Sequence, residues 1–439
     1  MGPPHSHRPL PSTVDHRAPC FSRHRRIENP RPFASSILFG ASPKQPWRAQ
    51  AELGIIPADA AETIAACSHA ERFDLERLST DIAHAQHPFV PVLRQLEGLC
   101  GEPAAGFVHW GATTQNIFDT GTSPKMGKTH AHLVGALTRA EASLATLATA
   151  HRTTVQAGRT HGQHALPMTF GFKVVGWLEE IRRGRERLEE RIERSFVAYL
   201  GGAIGTFAAM GGKGREVEAL MGRHLGLSPA VLPMRSSYDR PADYISALGI
   251  LAGSAEKIAH DVVFMQRTEV GEVEEAFHMG KIGSSTMAQK RNPSTALVLI
   301  SLSRMLRARV PLAAESMVRM DEGGSSATNV ADIVLPEVAI LAASIAEGLE
   351  KLVTGLVHPE AMRRNLDISN GLIAFEAVMM RLSDRLGRHH AHHLLYDAAQ
   401  RTVMEGTPFL AAIKEHEAMK AEGELAADID LDPTKYLDD

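Results

Sequence analysis

Residues 172–200, FKVVGWLEEIRRGRERLEERIERSFVAYL, run for 29 residues without a proline. Their acidic and basic residues recur three and four positions apart, the pattern of a helix with one solvated face. A helix longer than about 25 residues belongs to a bundle, a coiled coil or a membrane span. The longest apolar runs, such as ALVLISL at 296–302, fall far short of the ~20 residues that a bilayer demands. A bundle of long helices is the expectation. Further long helices are predicted over about 123–158, 243–268, 294–312 and 332–352, with Leu, Val and Ala at spacings of three and four. Hardly any stretch alternates with period two, so the fold class is all-α with little strand. Wide alanine-rich faces, such as AHLVGALTRAEASLATLATA, suggest helix-to-helix burial beyond one subunit.

A chain of 439 residues exceeds the size at which a single core stops growing, so two or three domains are expected. Residues 1–46 are rich in Pro, Arg and His, without a period and without the apolar core of a secretory signal. They read as an irregular or disordered segment. Residues 47–110 read as an N-terminal helical domain, 111–356 as a central domain of long helices, and 357–439 as a C-terminal helical domain.

A formal charge of -4 and a pI near 6.6 give no reason to expect nucleic acid or a membrane surface as a partner. Three widely spaced cysteines, Cys20, Cys67 and Cys100, form neither a disulfide framework nor a CxxC metal pair, which fits a reducing cytoplasm. The HHAHH run at 389–393 reads as a solvated helix face. No metal-ligand spacing occurs. The glycine-rich LGGAIGTFAAMGGKG at 200–214 has no strand before it, so neither nucleotide-loop reading has its context. No cofactor and no metal are expected.

Three polar segments break the long helices: 108–122, 158–171 and 278–293. They share paired hydroxyls, histidines, amides and glycines. An anionic substrate would be held by Thr113, Thr114, Thr160, Ser285, Lys290 and Asn292 through hydroxyl, amide and charge-assisted bonds. Ser284, on a glycine-led loop with Lys290 six residues on, has the makings of a base if the loop closes over substrate and excludes water. His161 and His109 are candidate proton carriers. His109 has a plainer reading as a helix cap, and His164 reads as support.

Gly283–Pro293 reads GSSTMAQKRNP, which resembles the GSSxMPxKxNP signature loop of the fumarase/aspartase superfamily. HWGATTQNIFDTG and GRTHGQHALPMTFG are similar to its two other conserved regions, and the resemblance covers roughly 49–439. Within the superfamily, LPMTFGFKVVGWLEEI, LGGAIGTFAAMG and LDPTKYLDD lean towards the 3-carboxy-cis,cis-muconate cycloisomerases, and next towards adenylosuccinate lyases. The resemblance implies a homotetramer whose central helices form a twenty-helix bundle. Each active site would be assembled from three subunits, one supplying each region. It implies a β-elimination, or its reverse, beside a carboxylate of a small di- or tricarboxylate. Ser284 would be the base, and Lys290 and Asn292 would stabilise an aci-carboxylate intermediate. Thr113 and Thr114 would bind carboxylate, Gln163 and the region of His161 would face the leaving group, and Ser285 and Met287 would complete the loop's contacts. His87 and His109 match histidines of the adenylosuccinate lyases.

Ala288 stands where the signature has Pro, which loosens the loop. Residues 320–336, MDEGGSSATNVADIVLP, lack the arginines that adenylosuccinate lyases carry there, which disfavours a purine nucleotide. FGASPKQPWR replaces the first helix of the family. A lyase acting on an amino- or nitro-substituted succinate would use the same loop. A non-catalytic structural homologue on the same fold is the rival class.

Overall fold

The computed structural model describes residues 46–420 and 428–437. The expectation of an irregular segment over 1–46 falls, but for Pro46, outside the described residues, as does Cys20. In chain order the helices are α1 (Pro46–Glu52), α2 (Ala58–Cys67), α3 (Leu75–Ala85), α4 (Val90–Cys100) and α5 (Thr114–Ala150). Strands β1 (Val155–Thr160) and β2 (Gln163–Thr169) follow, then α6 (Phe170–Ser195), α7 (Gly214–Leu225) and α8 (Asp239–Met265). The two-residue β3 (Val273–Glu274) precedes α9 (Ser294–Arg307), α10 (Val310–Glu315) and α11 (Ser325–Leu352). After β4 (Leu356–Val357) come α12 (Pro359–Asp367), α13 (Phe375–Leu386), α14 (Arg388–Glu405), α15 (Phe409–Glu415) and α16 (Glu417–Lys420). The fold is helix-rich throughout.

Two compact units emerge. Among the described residues, one comprises 46–127, 193–242 and 312–337; the other comprises 128–192, 243–311, 338–420 and 428–437. In the first, Trp47, Ile64, Phe73, Leu78, Ile82, Phe89 and Leu96 form a core under the short N-terminal helices. Asp74 starts α3 by accepting from the N–H groups of Glu76 and Arg77 at 3.1 and 3.0 Å, satisfying donors that a helix start leaves orphaned. Gly226 ends α7 in the left-handed region at φ 68°. There its N–H returns to the carbonyls of Arg223 and Gly222.

In the second unit α6 shows why its charge pattern predicts a helix. Val174, Trp177, Ile181 and Leu188 are buried on one face, while Arg182–Glu186, Arg183–Glu179 and Arg185–Glu189 pair on the other. Between helices, Arg185 grips Glu141 of α5 at 2.6 Å with both side chains mostly shielded. Arg304 and Arg307 of α9 close on Glu256 of α8. The C-terminal helices share a core of Val378, Leu382, Leu395, Phe409 and Ile413.

The structure departs from sequence expectation at the break before α6. The predicted helix over 123–158 starts earlier, at Thr114, and stops at Ala150, and the GRTH segment pairs with QHALPMT as an antiparallel hairpin. Pro167, opposite Ala157, lacks the N–H that a longer ladder needs. The helix predicted over 332–352 starts earlier, at Ser325, and Pro336 lies inside it. By length and composition α11 is apolar enough to cross a membrane, contrary to the reading from apolar runs. The reason is that its Val, Ile, Leu and Ala are spread among polar residues, which raises the average without a continuous apolar run. Nearly half of its most apolar stretch is buried within the protein.

Candidate active site

The segment 108–122 lies in the first unit. Asn116 organises it: its Oδ1 accepts from the N–H groups of Thr113 and Gly202, each at 3.1 Å. That buried amide ties the first turn of α5 to the glycine loop that begins at Leu200. Gln50 holds the other side by donating to Trp110 O at 2.8 Å. Thr113 and Thr114 are half-buried at this turn. His109 takes a positive φ of 62° and sets its ring edge-on to Phe89 at 5.2 Å. Burial holds its imidazole below the usual histidine range. His87 accepts at Nδ1 from the N–H groups of Phe89 and Val90, at 3.2 and 3.1 Å, so it caps α4.

The other two segments lie in the second unit. Thr160 pairs with Gln163, and His161 and Gly162 form the turn between them at φ 53° and 77°. Two successive positive φ values are what a right-twisted hairpin asks of a two-residue turn. The turn sets the His161 side chain in solvent at the hairpin tip. Burial, and then the neighbouring Arg159 charge, lower the pKa of His164.

The signature loop is closed at its neck. Asn292 donates from Nδ2 to Gly283 O at 2.8 Å, and a Cβ on Gly283 would collide with the Lys290 carbonyl. Within the loop, Ser284 Oγ accepts from the N–H groups of Met287 and Thr286 at 3.2 and 3.4 Å. Lys290 donates its own N–H to Met287 O. Ser285, Met287 and the Lys290 side chain are exposed. No hydrogen bond joins His161 to Ser284 among the described residues.

The acidic run before the loop anchors it. Buried Glu275 accepts from the N–H groups of Thr295 and Ala296 at 3.1 and 2.7 Å, capping α9 where the loop ends. Glu274 pairs with Arg291 at 2.5 Å, and that guanidinium covers Phe277. Glu272 is fully buried and takes both nitrogens of Arg159, at 2.6 and 3.0 Å, with Asn365 adding a bond at 2.9 Å. The turn end of the hairpin and the approach to the loop are thus one network. Sequence reading passes over Arg159, Glu272 and Asn365 because their partners lie about a hundred positions away. The only signal was the acidic run itself. Among the described residues no group of three or more His, Cys, Asp or Glu is placed to hold a metal ion.

Residues 45–307 match a family model described as Lyase, and 371–439 match one described as Adenylosuccinate lyase C-terminus. The chain is 37% identical over 393 residues to N-acetyl-S-(2-succino)cysteine lyase of Dickeya dadantii, covering 89% of this chain and 86% of that protein. It is 36% identical over 397 residues to 3-carboxy-cis,cis-muconate cycloisomerase of Pseudomonas aeruginosa, with 89% and 86% covered. The structure is similar to that of 3-carboxy-cis,cis-muconate lactonizing enzyme from Pseudomonas putida, with a TM-score of 0.83, 33% identity, and 94% and 93% of the chains covered. With these matches and this helix-rich fold, the chain belongs to the fumarase/aspartase superfamily of lyases and cycloisomerases.

Proposed function

We propose that the protein catalyses β-elimination, or its reverse, beside a carboxylate of a small di- or tricarboxylate, with Ser284 as the base. The observation that carries this reading is the pair of backbone N–H groups aimed at Ser284 Oγ. Donors fixed on that oxygen favour its charged form and keep the side chain set for proton removal. The proton leaves the carbon next to the carboxylate, the two carboxylate oxygens take the charge as an aci-carboxylate, and the group on the neighbouring carbon departs. Lys290 and Asn292 stabilise that dianion, Asn292 with the amide hydrogen not spent on Gly283. Thr113 and Thr114 hold a carboxylate. Thr160, His161 and Gln163 face the leaving group, with His161 passing the proton, and Ser285, Met287, His87 and His109 complete the substrate contacts. No step calls for a cofactor.

In a cycloisomerase the departing or arriving group is the substrate's own second carboxylate, and the product is a lactone. The likeness to 3-carboxy-cis,cis-muconate cycloisomerase supports that version. A second reading, a lyase that frees a heteroatom leaving group from a substituted succinate, is favoured by the likeness to N-acetyl-S-(2-succino)cysteine lyase. We assign the site to a homotetramer in which three subunits each supply one of the polar segments. Exposed apolar side chains along the long helices, including Phe172, Ile250, Val298 and Ile340, support subunit contact there.

Ultraviolet absorbance with 3-carboxymuconate, adenylosuccinate, argininosuccinate, nitrosuccinate, and fumarate with amines or thiols tests the reaction. Turnover of at least one is expected. Silence across the panel from a well-folded oligomer would overturn the reading for these substrates. Ser284→Ala is expected to abolish turnover with assembly intact; a retained rate would remove Ser284 as base.

A further inference from the structure

Residues 320–336 contain no arginine, yet Arg319 directly precedes this loop and the fold brings Arg235 against it. Arg235 donates from Nη1 to Ala203 O at 2.7 Å, and its guanidinium lies against Gly323, where a Cβ would stand 2.9 Å from Cζ. A side chain at 323 would push the guanidinium aside. The carbonyl of Arg235 in turn accepts from Arg319 Nη1 at 2.9 Å. Arg319 lies over the Tyr238 ring at 3.9 Å, a cation–π contact, and donates weakly to Ser316 O. Arg235 Nε and Arg319 Nη2 are buried and have no acceptor among the described residues. A buried guanidinium N–H without a partner is costly, so the pair is built for an acceptor. The nearby Asp119 is already bonded to Gln115 at 2.6 Å, and burial pushes its carboxyl up to about 6 despite the Arg319 and Arg235 charges.

Ala203 directly follows Gly202, and Gly202 shares the Asn116 oxygen with Thr113. The residue that Arg235 grips is therefore one Cα step, about 3.8 Å, from the residue bonded to the Thr113–Thr114 turn. We propose that Arg235 and Arg319 form an anion subsite beside that turn, which takes an additional carboxylate of the substrate. This assignment rests on the carboxylate reading above and narrows it to tricarboxylates, or to dicarboxylates whose leaving group is itself acidic. A carboxylate suits the site better than a phosphate. A carboxylate brings one negative charge and acceptor oxygens for the orphaned N–H groups, whereas a dianion would meet the fields of Asp119 and Asp332 more strongly.

Calorimetric titration of the full-length protein with succinate and with tricarballylate (propane-1,2,3-tricarboxylate) tests the subsite. The wild type is expected to bind tricarballylate at least tenfold more tightly than succinate. That ratio falls to near one in Arg235→Gln/Arg319→Gln and is partly restored in Arg235→Lys/Arg319→Lys. Succinate affinity stays within about threefold in all of them. Wild-type binding of both acids at a ratio near one, or a ratio that survives in the glutamine variant, overturns the subsite and leaves the carboxylate reading standing. Binding of neither acid by the wild type overturns the carboxylate reading and the subsite with it. If the double variants fail to fold, Arg319→Gln alone, which keeps the Arg235–Ala203 bond, is read the same way, and a ratio unchanged from wild type overturns the subsite.

Discussion

Asn292 donates its side-chain amide to Gly283 O at 2.8 Å, so the signature segment is a loop tied at its own neck. Gly283 is required there by the closeness of the returning backbone at Lys290. Gly283→Ala is expected to cost about 1–3 kcal/mol, as forced overpacking does, and to free the loop for proteolysis. Asn292→Ala removes one hydrogen bond, about 1 kcal/mol, and lets Ser284 drift; a misplacement of ~1 Å lowers turnover about 100-fold. Limited proteolysis alongside kcat measures both. A protected loop in Gly283→Ala would show that the neck is not what closes it.

The Arg159–Glu272 pair is shielded, with the carboxylate fully buried. Removing one partner strands a charge. Arg159→Met is expected to destabilise the fold by about 3–5 kcal/mol, read from the denaturation midpoint. Arg159→Met/Glu272→Leu strands no charge, only one Asn365 N–H, and recovers most of that loss. If the double variant is as unstable as the single, burial of an unpaired charge is not the cause.

His161 has two roles that one substitution separates. Asn tolerates the positive φ of the hairpin turn, whereas a β-branched residue does not. His161→Asn is expected to keep the thermal midpoint and lose turnover by about 100-fold, the scale of general acid–base catalysis. His161→Val loses both. Equal activity of His161→Asn and wild type would leave this histidine with a turn-forming role only.

Glu218 supports the glycine loop by accepting from Leu200 N–H at 3.2 Å, and burial pushes its carboxyl up to about 7 from 4.5. Between those values the folded state holds the proton and the unfolded chain has lost it, so stability falls as pH rises. The loss over pH 4.5 to 7 is about 3 kcal/mol. Glu218→Gln keeps the acceptor and removes the titration, so its stability profile is flatter in that window. Parallel profiles in urea denaturation would assign the pH dependence elsewhere.

Long helices and the three polar breaks were legible in the sequence, since both depend on neighbours in the chain. A 3.6-residue period, a charge ladder on α6 and a glycine-led signature are local patterns. The hairpin was not legible: its GRTH and QHALPMT segments are too short and too polar to alternate cleanly, and pairing across the His161–Gly162 turn makes them strands. Nor was the work of the polar residues. Asn116 bonds a loop 86 positions away, and Glu272 finds Arg159 across 113. The acidic run of 268–277 is the anchor of the signature loop because Glu272, Glu274 and Glu275 each meet a partner. The 320–336 stretch was read as lacking arginines, and it does lack them. Only the tertiary structure sets Arg235 beside it and joins it to Arg319, 84 positions away, because hydrogen bonds and ion pairs act over a few ångströms regardless of separation along the chain.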